Sequence, residues 1–327
     1  MIDKSKPLDL GEIFNVAIKL IGKTFTRNII VAAVFLIPAG IVFSYGMNSF
    51  FNSLIEVTLP SVRSVAQFNN LEHGLDFFTV FGIYIATSIV FMLGYLAMLI
   101  GITHVSCKEL DGDRITLTSA FEKIFSITYL RSLGQVLLLI LAFVAFIIVA
   151  VFLTFLVGIT NSTSVKILGV LVVIAEIFFL VFLYIRWYFA FIAVVREDVN
   201  PLHSFVISNN LVKGYWWRTF GLIILTSITV QFVVSFVTTP LSFIIMWDFI
   251  AQYFKMLTRG HYYRDNPYLF LELLRSLGFS LGVIIIISSV LQSLITPLFN
   301  VVMYYDLKIR KQEFQIEPTE IAVSASE

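Results

Sequence analysis

Six stretches of this chain are long and apolar enough to cross a bilayer, and that feature leaves few folds open. They lie at about residues 29–49, 78–103, 132–158, 167–195, 219–246 and 279–304, each near or above the roughly 20 helical residues that span a hydrocarbon layer. Within such a layer every backbone N–H and C=O must find a partner inside the protein. Composition agrees with this reading. Hydrophobic residues make up 58% of the chain and charged residues 13%, where a soluble domain carries about 25% charged residues. The expected fold is all-α: a polytopic membrane helix bundle of six transmembrane helices with three cytoplasmic interfacial amphipathic helices.

The basic residues give an orientation. With a cytoplasmic N-terminus, sixteen lysines and arginines fall on the inside and six on the outside. The inside set includes Lys19, Lys23, Arg27, Lys123, Arg131, Arg186, Arg196, Lys213, Arg218, Lys308, Arg310 and Lys311. This bias and the even number of spans imply that both termini are cytoplasmic, and the expected location is the bacterial inner membrane. A net charge of +1 offers no footprint for nucleic acid. Cys107 is the single cysteine, which excludes an intrachain disulfide and a cysteine metal cluster. No cleavable signal peptide is expected, because the first apolar run begins near Ile29, after an amphipathic stretch.

That stretch, residues 9–23, puts Ile13, Phe14, Ala17, Ile18, Leu20 and Ile21 on one helical arc with Leu10, and Asp9, Glu12, Asn15, Lys19 and Lys23 opposite, Val16 being the exception. Asp9 and Glu12 have the spacing of a capping pair. Such a helix lies in the interface plane, packed on its own bundle, on lipid, or on both. Residues 117–127 repeat the pattern. Residues 201–213 form a third, weaker copy that opens with Asn200 and Pro201. Phe14 precedes Arg27 by 13 residues, Phe205 precedes Arg218 by 13, and Phe121 precedes Arg131 by 10. The chain therefore reads as one membrane domain, 1–313, of three similar units (8–103, 116–195, 200–305), followed by a disordered tail, 314–327. The loop 247–278, with Trp247, Phe249, Tyr253, Phe254, Tyr262, Tyr263 and Tyr268, is expected against the outer interface.

Few residues carry chemistry. Glu176 lies about 15 Å into the fourth span at 1.5 Å per residue, and an intramembrane acid invites a functional reading. Gln231 and Gln292 lie at similar depth in the fifth and sixth spans. The three would form a polar cluster, as glue between helices around an uncharged carboxyl or as a path for a proton or solute. Arg186 is expected to reach toward headgroup phosphates. The Asp111-Gly112-Asp113-Arg114 turn lacks the further ligands of a calcium loop. The four histidines have no paired ligand spacing, and no nucleophile elbow occurs. No catalytic residue, metal or cofactor is expected.

Several segments together resemble a known family: Pro7 to Phe14, the Arg186 helix with its acidic elbow at Glu197–Pro201, Gly214 to Arg218, and the ending Tyr304-Tyr305-Asp306-Leu307-Lys308-Ile309-Arg310-Lys311. Across nearly the whole chain they are similar to the bacterial glycerophosphoryl diester phosphodiesterase membrane domain, although that family usually has arginine where Lys308 stands. The resemblance implies a membrane fold and carries over no catalytic residue, since no stretch remains for the roughly 250 residues of a phosphodiesterase barrel. The terminal motif itself suggests a buried Asp306 docked on an elbow arginine such as Arg131 or Arg218, with Arg310 four residues on. The function expected is a non-catalytic scaffold or accessory whose partners are the lipid bilayer and other membrane proteins. The alternative is a transporter of a small solute or lipid that uses the Glu176 level.

Overall fold

The computed structural model describes residues 6–63, 71–113, 116–159, 163–258, 273–275 and 277–324. Among them every regular element is an α-helix. In chain order these are α1 (Leu10–Arg63), α2 (Leu71–Asp111), α3 (Leu117–Ile124), α4 (Ile127–Ile159) and α5 (Thr163–Trp187). They continue as α6 (Ala190–Glu197), α7 (Pro201–Val212), α8 (Trp216–Ile245), α9 (Trp247–Thr258) and α10 (Leu277–Ser324). Six of the helices are long and apolar enough to cross a membrane.

The chain forms two compact units. The first holds residues 1–24, 100–227 and 296–327; the second holds 25–99 and 228–295.

In the first unit α6 and α7 pack on each other and on α4, and α7 packs on α5 as well. Phe189, Leu298 and Tyr304 are fully buried there. The start of α1 buries Ile13, Ala17 and Leu20 in this unit and leaves Leu10 and Ile18 exposed. Its cap is reciprocal: Glu12 N–H donates to Asp9 Oδ1 at 2.7 Å, and Asp9 N–H donates to Glu12 Oε2 at 2.9 Å. The expected break between this segment and the first span does not occur, because α1 is one helix of 54 residues. No proline interrupts residues 22–27, and the Thr24 hydroxyl stays in register by donating to the Leu20 carbonyl at 2.9 Å. By contrast α3 and α7 are separate helices, because each has its own start. Thr116 caps α3 through the Ser119 N–H, and Pro201 opens α7. The first of the three segments thus runs on into its span, whereas the other two are helices of their own.

The single span expected over 167–195 is divided. Helix α5 ends at Trp187 and α6 starts at Ala190. A helix break inside an apolar run needs replacement partners, and Ser208 of α7 supplies them. Its hydroxyl accepts from Phe189 N–H at 3.1 Å and donates to the Arg186 carbonyl at 2.8 Å. This explains the weak amphipathicity of 201–213. Helix α7 turns Ser204 and Ser208 inward and leaves Leu202 70% exposed, the reverse of a water-facing polar side.

The second unit is built on close helix approaches. A Cβ added to Gly94 of α2 would lie 2.8 Å from the Phe35 carbonyl oxygen of α1, and one added to Gly278 of α10 would lie 2.8 Å from Asn48 Cα. The described part of the 247–278 loop is helical: α9 buries none of its residues and exposes Trp247 and Phe254. Tyr262, Tyr263 and Tyr268 lie outside the described residues. Helix α10 runs on to Ser324, where the sequence reading began a disordered tail at 314. Glu313, Gln315 and Glu317 are good helix formers, and extending a formed helix costs far less than nucleating one.

Candidate functional site: an ionic cluster at the helix ends of the first unit

Tyr304, Tyr305, Asp306 and Lys308 lie within five positions on α10. Successive residues on a helix point about 100° apart, so one short motif reaches several neighbours at once. Tyr304 turns to α6, where its hydroxyl donates to Glu197 Oε1 at 2.5 Å. Lys308, one turn on, donates to the same oxygen at 2.7 Å. Tyr305 turns to α2 and donates to Asp111 Oδ2 at 2.8 Å. Arg196 meets the other Asp111 oxygen at 3.4 Å and stacks 3.9 Å over the Tyr305 ring, a cation–π contact.

Asp306 is the centre, with 0% exposure. It accepts from Leu8 N–H at 2.9 Å, from Arg218 Nη2 at 3.1 Å and from Arg310 Nε at 3.1 Å. The Leu8 carbonyl closes the circuit, accepting from Arg218 at 2.8 Å and from Arg310 at 2.7 Å. One carboxylate and two guanidinium groups thus hold both backbone polar groups of Leu8, its N–H and its C=O. The N-terminal segment, the start of α8 and α10 meet at this point. Charge-assisted bonds of this kind are roughly twice as strong as neutral ones.

A second knot forms at the acidic elbow. Asp198 has a left-handed φ of 57°, a conformation that Asp tolerates better than most residues. Its side chain accepts from Thr128 Oγ1 at 2.7 Å, and it pairs with Lys123 at 3.1 Å and Arg131 at 3.4 Å. Arg131 also donates to the Asp198 carbonyl. Burial pushes this carboxyl up, but the Thr128 and Lys123 hydrogen bonds and the Lys123 and Arg131 charges outweigh it and hold the group below the usual aspartate range.

The sequence candidates are thus sorted. Arg218, Asp306 and Arg310 come together, whereas Arg131 faces Asp198. Arg186 stacks over Phe182 at 4.8 Å. Arg27 is half-buried on α1 in the second unit. Glu176 belongs to the first unit, Gln231 and Gln292 to the second. Gln231 donates to Ser235 one turn away at 3.0 Å, and Gln292 is exposed. Glu176 sits in the α4–α5 seam. The Gly169–Val157 approach and the Phe146–Phe179 ring contact fix an antiparallel register that sets it level with Val149 and Ala150. Both its carboxyl oxygens are shielded there without a hydrogen-bond partner among the described residues.

Sequence reasoning missed Ser208, Asp111 as the Tyr305 acceptor, and the Leu8 peptide. The first had one visible signal, a serine at the face of 201–213 where the pattern failed. A backbone group carries no signal at all.

These helices define a multi-pass helical membrane protein. Compared with protein-family models, curated proteins and solved structures, the chain has no match.

Proposed function

We propose that this chain is a non-catalytic scaffold or accessory protein of the bacterial inner membrane, with both termini in the cytoplasm. The observation that carries the reading is the state of the four acids at the charged end. Asp111, Glu197, Asp198 and Asp306 are each held by cations, phenols or backbone groups from other helices. Groups committed in this way tie helix ends together and leave no free acid, base or nucleophile among them. The resemblance of the terminal motif to the glycerophosphoryl diester phosphodiesterase membrane domain supports the same view, since in that family this region is the membrane part. The three-unit repeat and the amphipathic character of its helices belong to this proposal. So do lipid and other membrane proteins as partners. Reporter fusions after Glu313 and within 259–272 test the orientation: the first should be active only as a cytoplasmic reporter, the second only as an external one. An external C-terminus would overturn it.

Transport is the second reading, favoured by one observation, the shielded carboxyl of Glu176. Glu176→Leu separates the two. A buried acid without partners is destabilising, so its removal should raise stability by about 1–3 kcal/mol. Under the scaffold reading the variant also rescues a deletion strain like the wild type. Normal abundance with loss of rescue would favour transport.

A further inference from the structure

The cations of the first unit fall into distinct sets. Lys123, Arg131, Arg196, Arg218, Lys308 and Arg310 each face a carboxylate. Arg186, Lys213 and Lys311 have no carboxylate within ion-pair distance among the described residues. Arg186 and Lys311 each lie against an aromatic ring, and the Lys213 carbonyl accepts from Lys311. The Arg186 guanidinium lies 4.8 Å from the Phe182 ring centre. Phe182 stacks on Trp216 at 5.9 Å, and the Trp216 indole N–H donates to the Phe182 carbonyl at 3.5 Å. Tyr215, next in sequence, lies 5.8 Å beneath the Lys311 ammonium. Lys311 in turn donates to the Lys213 carbonyl at 2.7 Å, the one hydrogen bond of its ammonium among the described residues. Trp217 stands beside them, 77% exposed.

We infer that these cations and rings bind the phosphate of an anionic phospholipid headgroup. The reasoning is one of charge and solvent. Cations that face no acid leave their charge open to an anion outside the chain, and two of these three lie against rings. Tryptophan and tyrosine favour the headgroup layer, where an apolar ring and a polar edge are both satisfied. The apolar surface of α5 continues directly from Arg186 through exposed Phe178, Ile174 and Leu171, a face for the acyl chains of the same lipid. Lys311, seated over Tyr215 and bonded to the Lys213 carbonyl, adds positive charge beside Trp216, and Lys213 stands two residues before Tyr215. A soluble anion would gain nothing from Trp217 or from the α5 face, which is why the lipid is the occupant. The inference rests on the membrane placement proposed above and is independent of the scaffold reading. The reporter fusions test that placement, and the experiment below tests the site.

The full-length protein, purified and exchanged into micelles with equal phosphatidylglycerol and phosphatidylcholine, would be examined by native mass spectrometry for retained lipid. Wild type should retain phosphatidylglycerol in preference. The Arg186→Gln/Lys213→Gln/Lys311→Gln variant should lose the preference, each removed cation lowering it by about fivefold. Arg186→Lys should keep most of it. Lys19→Gln, at an exposed lysine on α1, should keep all of it. If the triple variant elutes as aggregate, the three single variants are read instead, each with its own fivefold drop. An unchanged preference in these variants, an equal loss in Lys19→Gln, or abolition by excess inorganic phosphate would overturn the assignment, the last by making the site one for a free anion.

Discussion

Replacing Asp306 with asparagine is expected to destabilise the protein by about 3–5 kcal/mol, the loss typical when one member of a buried ion pair is removed. The side chain is fully buried, and its two oxygens serve three donors, Leu8 N–H, Arg218 and Arg310. An amide of the same shape offers one oxygen and turns two N–H donors toward guanidinium groups that are themselves donors only. The one oxygen can serve either Leu8 N–H or Arg218, which bond different oxygens of the carboxylate, and the donor left over faces amide N–H groups. Thermal unfolding in detergent and in lipid nanodiscs measures the effect. Adding Arg218→Met to Asp306→Asn should cost less than the two single changes together, because the partners form one network. An Asp306→Asn variant that melts with the wild type would reduce the terminal motif to a stop signal, which needs its basic residues and not its acid.

Gly282→Leu is expected to have the other large effect, in the second unit. A Cβ at Gly282 would lie 2.7 Å from Ser44 Cα, and a Cβ at Gly278 would lie 2.8 Å from Asn48 Cα. The two glycines are four apart on α10, the spacing that lets helix backbones approach closely in a membrane. Even Gly282→Ala would push on backbone, which cannot turn aside like a flexible side chain, and overpacking of that kind costs about 1–3 kcal/mol. Leucine would force α1 and α10 apart along their shared seam and forfeit contacts on both sides of it. The yield of monodisperse protein and its melting temperature check this. Gly22, which has open space where its Cβ would be, is the control. An alanine there should be neutral or slightly stabilising, since glycine inside a helix is unfavourable by about 1 kcal/mol relative to alanine.

The sequence by itself determined the features that follow from local chemistry. Helices cross a bilayer because nothing outside them can satisfy the backbone, so the six apolar blocks were readable without knowing their neighbours. The start of α7 was equally legible, because Asn200 and Pro201 act within one turn. Tertiary structure decided what depends on distant partners. The break between α5 and α6 has no proline to announce it and exists where Ser208, 19 residues beyond Phe189, can accept the freed N–H. The start of α1 continues unbroken into its span because no residue there stops it and the bundle accepts its inward stripe. The Gly282 seam depends on Ser44, on a helix at the far end of the sequence. Asp306 could have met Arg131 or Arg218 as far as spacing tells. The fold gives it Arg218, 88 residues away, because Arg131 is already held by Asp198. Pairing among like cations is a matter of which helix ends share one small volume, and that is a property of packing, to which no single stretch of sequence has access.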